Sequence, residues 1–293
     1  MSRVRWMAVT TALGVSAAGV LTVATTPTVH AQAETAAAPT TAVQIARNHS
    51  VTMPQQLRPG VHRFVVHSAR RAAFQLVLPD RGYTKAEATR DVNSGLGEQQ
   101  ADVAALRRLE RNVTLLGGVT STARRAGVMW ARLQPGTYWA VDTNVTPARV
   151  RHLLTVRVTG AKVSGALPGG SVIRAVNEVD WAARPKVINR SGRMVFRNDS
   201  TDNHFIAMAK LKAGKTMKDF RQWLNAIQQG TDTPPPVRED ITLDTGALSP
   251  GKQMAMTYSL PRGNYVMICW WPDADMGGMP HAFMGMYRGI RLR

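Results

Sequence analysis

The chain repeats itself. Gly60 and Gly192, Phe64 and Phe196, Gly82 and Gly214, Thr84 and Thr216, and Val92 and Leu224 each stand 132 residues apart. Further on, Leu133, Gly136 and Tyr138 match Leu260, Gly263 and Tyr265 at a separation of 127, so the first copy is five residues longer between the anchors. Each match is weak alone, but their shared order and nearly shared spacing restrict the fold to two copies of one supersecondary plan.

Both copies read alike. A β-rich start (residues 61–66 and 193–197) leads to a second strand (73–78 and 204–211), a glycine, and a threonine placed to cap a helix. Thr84-Lys85-Ala86-Glu87 fits a capping box, and Thr216-Met217-Lys218-Asp219 repeats it with a shorter acid. In the second copy Phe220, Trp223, Leu224 and Ile227 fall at i, i+3, i+4 and i+7, the apolar face of a helix that packs on a core. Alternating strands follow at 253–260 and 264–269. Short strands divided by Gly and Pro predict an all-β fold: two tandem Greek-key β-sandwich domains, each with a short inserted helix.

The ends and joints of these units come from composition. Arg3 and Arg5 precede an apolar, small-residue run from Met7 to Ala24, and Val29-His30-Ala31 or Ala31-Gln32-Ala33 offers a cleavage site, so residues 1–31 read as a secretory signal. Residues 32–44 are Ala/Thr/Pro-rich and read as a disordered leader. The first domain is expected at 45–160, a Gly-rich linker at 161–171, and the second domain at 172–293. A secreted or extracytoplasmic location follows, possession of a lasting transmembrane helix does not, and about 260 mature residues suffice for two cores.

The net charge of +18 falls only to +16 when Arg3 and Arg5 leave with the signal. Such an excess favours anionic cell-envelope polymers, an acidic lipid surface or an acidic protein partner, with salt-dependent affinity. Export and the scattered placement of the basic residues argue against nucleic acid.

Cys269 is the only cysteine, so no intramolecular disulfide can form, and burial, metal ligation or pairing with another chain remain. His204 lies upstream on a separate predicted strand, and His281 and Met286 lie downstream. A thiolate, two imidazoles and a weak thioether are the donors that hold a blue copper ion, because soft sulfur suits Cu(I) and imidazole accommodates Cu(II).

Val195-Phe196-Arg197-Asn198 leading to His204, the run Leu260 to Cys269, and Pro280-His281 through Gly285-Met286 together resemble the ligand-bearing segments of cupredoxins of the plastocyanin and azurin type. The resemblance covers most of residues 172–293 and implies one mononuclear copper at His204, Cys269, His281 and Met286. The loop between Cys269 and His281 has eleven residues, longer than in small electron carriers. The first half resembles the same fold with its site erased: Ala72 takes the place of His204 and Asp142 that of Cys269, while His152 lies in the right region without a following methionine.

Three functions fit. The first is an exported one-electron carrier, with its redox partner or copper acceptor unidentified. A second is copper storage or delivery through Met276, Met279, Met284 and Met286, since thioethers favour Cu(I). The third is a metal-free basic module that binds the cell envelope. Trp270 and Trp271 read mainly as aromatic packing beside the cysteine, and Asp273 and Asp275 as solvated turn residues. Cupredoxin enzymes couple blue copper to a second centre through histidines beside the cysteine, yet Cys269 is flanked by Ile268 and Trp270. The seven histidines, at 30, 49, 62, 67, 152, 204 and 281, form no His-x-His pair, which argues against a multicopper catalyst.

Overall fold

In the computed structural model, residues 37–96, 102–144 and 150–293 are described; the expected signal segment lies outside them. Ordered chain starts earlier than composition suggests. Thr40–Ile45 is a strand, although residues 40–44 read as leader. Thr41, Val43 and Ile45 are buried at every second position while their neighbours face out, and the strand pairs in parallel with Gly60–Ser68. A period of two is enough to seat even a Thr-rich segment on a sheet.

An eight-stranded sheet runs through both halves. From one edge it holds Asp180–Trp181, Ser171–Val176, Ser191–Asn198 and Gln253–Ser259, then Gly127–Leu133, Gly60–Ser68, Thr40–Ile45 and Val51–Thr52. The order is the same read outward from the centre in either direction. At that centre Met254, Ala255 and Met256 pair antiparallel with Ala131, Trp130 and Met129.

Each half also has its own five-stranded sheet. In the second half the order is Val187–Ile188, Tyr287–Leu292, Gly263–Ile268, Ala207–Leu211, Val237–Asp244; in the first it is Gln56–Leu57, Leu154–Val158, Gly136–Asp142, Ala72–Pro79, Val113–Ser121. The fold is all-β, two tandem sandwiches joined edge to edge. Residues matched at 132 and 127 occupy corresponding places: Gln75 pairs with Val141 and Ala207 with Ile268. Tyr138 donates its hydroxyl to the carbonyl of Gln134, and Tyr265 does the same to Pro261.

Both threonine caps form. Thr84 opens α1 (Lys85–Gly95) and Thr216 opens α3 (Met217–Gln228), each with the reciprocal bond from the acid at N3. The first half has a further helix that the threonine signal did not announce, α2 (Val103–Asn112), capped by Asp102 and burying Ala105, Leu106 and Leu109. One inserted helix per half is therefore corrected to two in the first.

Residues 160–170 contain neither helix nor strand, but Val163 donates its amide to the carbonyl of Pro59. The halves also meet at residues 245–249. Ala247 gives its amide to the Gln75 side chain, Gly246 to the carbonyl of Gly118, and Gly117 to the carbonyl of Ala247. A Cβ on Gly246 would lie 2.4 Å from the Gly118 amide nitrogen, so the two backbones approach this closely only without a side chain there. Ser249 Oγ accepts from the Leu115 amide at 2.9 Å and donates to Asn203 Oδ1 at 2.7 Å. Among the described residues no helix is long and apolar enough to cross a membrane.

Candidate metal centre

Three donors arrive from three directions. Cys269 follows directly on the strand Gly263–Ile268, and its amide is bonded to the carbonyl of Met286 at 3.1 Å. His204 lies before Ala207–Leu211, not within it as the sequence implied. It is held by a two-way backbone bridge, with its amide donating to Leu248 at 3.1 Å and that of Leu248 donating back at 2.8 Å. His281 follows a short hairpin of Pro272–Asp273 and Met279–Pro280, which folds the long loop back so that the His281 amide reaches the carbonyl of Trp271.

The side chains converge. His204 Nδ1 lies 3.1 Å from His281 Nδ1, and Cys269 Sγ lies 3.7 Å from the first nitrogen and 3.6 Å from the second. All three residues are fully buried. A point in the plane of these atoms lies about 2 Å from each, the spacing at which imidazole nitrogen and thiolate sulfur bind a first-row transition metal. The donor set therefore fits a single such ion, and His204, Cys269 and His281 form a group able to hold one. Met286 is buried beside them and its amide donates to the carbonyl of His281 at 2.9 Å.

Burial sets the protonation of the metal-free site. It pushes the Cys269 thiol up to about 12, because a thiolate there would lose its water with no cation in exchange. It also lowers His204 to about 3, with the neighbouring His281 adding to the effect. Without a metal the site thus holds a neutral thiol and a neutral His204 imidazole. A bound cation supplies the charge that makes the thiolate affordable.

The outer nitrogens of the two imidazoles differ. His281 Nε2 faces Asp202 Oδ2 at 3.1 Å, whereas His204 Nε2 is buried with no hydrogen-bond partner. Sequence reasoning passed over Asp202, whose signal was only its place two residues before His204. It also missed Glu110 on α2, whose carboxylate accepts the indole N–H of Trp271 at 2.7 Å across the two halves. Burial raises the Glu110 carboxyl, and the nearby Asp202 and Asp273 charges reinforce that shift.

Asp273 is not the solvated residue expected. It is 3% exposed, and its Oδ1 accepts from the amides of Asp275 and Met276, which closes the hairpin turn. Asp275 does face solvent and pairs with Arg107. Trp271 is buried, and Trp270 packs edge-on to Phe283 at 5.8 Å. A mostly apolar cavity of about 840 Å³ adjoins this loop, walled by Trp139, Phe205, Trp270, Trp271 and Phe283. The loop methionines do not share one environment: Met276 is 52% exposed, Met279 and Met284 are half-buried, and Met286 is enclosed. In the first half, Asp142 occupies the cysteine position, and His152 is exposed.

Among solved structures, auracyanin from Roseiflexus castenholzii, reduced with dithionite, is 21% identical over 43% of this chain and 99% of that one, with a TM-score of 0.27. Auracyanin B is 16% identical over 45% and 93%, also at 0.27. A multicopper oxidase from Pediococcus acidilactici is 9% identical over 87% of this chain and 58% of its own length, at 0.24. No protein-family model matches the chain, and no curated protein matches it. The metal-site assignment rests on the converging donors themselves.

Proposed function

We propose that this is an exported copper protein that carries single electrons at one mononuclear site, held by His204, Cys269 and His281 with Met286 as a weak fourth ligand. The observation that carries the reading is the meeting of two imidazole nitrogens and one sulfur within 3.1 to 3.7 Å of one another in a fully buried pocket. Copper bound by this donor set exchanges one electron between Cu(I) and Cu(II). The chain supplies the rest. Burial keeps water from the donors, and the His204–Leu248 bridge and the Cys269–Met286 bond fix the backbone under each ligand, so little movement accompanies a change of charge.

Export is supported by the N-terminal sequence pattern. The basic excess fits an acidic redox partner or an anionic envelope surface, in either case with salt-sensitive association.

Titrating Cu(II) into the metal-free mature protein should give intense visible absorption from thiolate-to-copper charge transfer at one equivalent, and Cys269→Ser should abolish it. Colourless Cu(I) binding that survives Cys269→Ser would instead support storage by the loop methionines. Absence of copper binding would overturn both readings and leave the envelope-binding module.

A further inference from the structure

We infer that Asp202 is a positioning residue that fixes the tautomer and orientation of His281 for metal binding. The inference rests on the copper reading for its purpose, though its geometry is present without any ion.

A neutral imidazole carries one proton and has one bare nitrogen, so a hydrogen bond at one end decides which nitrogen can bind a metal. His281 Nε2 lies 3.1 Å from Asp202 Oδ2, and a carboxylate only accepts, so Nε2 carries the hydrogen and donates it. Nδ1 is then bare, and it is the nitrogen that faces Cys269 Sγ at 3.6 Å. An acid that holds the outer nitrogen of a metal-binding histidine also makes the inner nitrogen a better donor.

Asp202 is itself held in place. The buried Asn198 side chain donates to the Asp202 carbonyl at 2.7 Å and to that of Leu248 at 2.7 Å, and Ser200 Oγ accepts from the Asp202 amide at 3.3 Å while donating to Asn198 Oδ1 at 2.6 Å. The second carboxylate oxygen accepts from the Asn203 amide at 2.6 Å. The loop that seats the acid is thereby tied to Leu248, the residue that bridges His204. His204 has no carboxylate at its outer nitrogen, which lies near the Glu178 backbone without a well-formed hydrogen bond among the described residues. The two histidines thus differ: the main chain of His204 is fixed by its backbone bridge, and the ring of His281 by its bond to Asp202.

The repeat adds an independent point. Arg70 stands 132 residues before Asp202, and Arg70 bonds Asp142, the residue at the cysteine position of the first half. In both halves this position supplies a charged side chain that bonds a buried residue, Asp142 in the first and His281 in the second.

Two measurements test the inference, on the full mature chain and on Asp202→Asn and Asp202→Ala. In the metal-free protein, nitrogen-15 NMR should show His281 protonated at Nε2 in the parent and in Asp202→Asn, whose amide oxygen still accepts, and a mixture of tautomers in Asp202→Ala. In competition titrations with a chelator, copper affinity should fall about 10- to 100-fold in Asp202→Ala and recover most of the loss in Asp202→Asn. Metal-free melting separates a folding defect from a binding one; if Asp202→Ala does not fold, the parent tautomer and Asp202→Asn decide. An Nδ1-protonated His281 in the parent, or parent-like affinity in folded Asp202→Ala, overturns the inference while leaving the copper reading intact. A parent protein that takes no copper overturns the copper reading, while the NMR result still judges the tautomer.

Discussion

The same place in the fold is occupied by opposite chemistries in the two halves. In the second half it holds an uncharged thiol facing two imidazoles. In the first it holds Asp142, fully buried, whose carboxylate accepts from Arg70 at 2.8 Å, from the amides of Ala73 and Asn144 at 2.9 and 3.0 Å, and lies 3.0 Å from His49 Nδ1. Arg70 pairs directly with the buried Asp142 carboxylate, whereas the buried Cys269 thiol faces the two imidazoles. At this place the first half is internally balanced by an ion pair, while the second keeps a buried thiol beside two imidazoles.

The largest break in this comparison is expected from Asp142→Ala. It leaves Arg70, 26% exposed, with its backbone carbonyl acceptors and leaves two part-buried backbone amides unpaired, so urea unfolding should show a loss of about 3–5 kcal/mol. An unchanged midpoint would mean that the first half does not depend on its ion pair.

A smaller effect should follow at the bond between the halves. Glu110→Ala leaves the buried Trp271 N–H without an acceptor and should cost about 1–3 kcal/mol. Glu110→Gln keeps an acceptor and isolates the pH term. The Glu110 carboxyl is raised above its ordinary 4.5 by burial, so the folded state holds a proton that the unfolded chain has released. Stability from this group is present below pH 4.5 and is lost as pH rises through the higher folded value. Urea midpoints measured at pH 4 and pH 8 should therefore fall less in Glu110→Gln than in the parent; equal falls would dismiss the carboxyl as their source.

The smallest effects sharpen the likeness instead of the contrast. Thr84→Ala and Thr216→Ala each remove a capping-box hydroxyl and should each lower stability by about 1 kcal/mol. Unequal losses in thermal melts would show that the matched caps do not carry matched weight.

The parts legible in the sequence were those set by local pattern. The capping boxes, the apolar face of α3 and the strands near Gly60, Gly192 and Gly263 all follow from residue spacing. Cys269, His204 and His281 were legible as candidates because their chemistry is rare in combination. What pattern could not supply was tertiary. Thr40–Ile45 looks like leader until a partner strand buries its odd positions. α2 was passed over because its short apolar face lies among five charged or amide side chains. Asp273 looked solvated because only the hairpin encloses it. The contacts of Asp202 and Glu110 join residues 79 and 161 positions apart, beyond any local spacing rule.

The bonds at residues 245–249 bind the histories of the two halves as well as their structures. Gln75, Leu115 and Gly118 of the half without a cysteine bond Ala247, Ser249 and Gly246, the segment whose Leu248 bridges His204. Selection on the candidate site must therefore also police its silent twin, and neither could be shed or shuffled into another gene without leaving its neighbour's backbone groups exposed and unanswered.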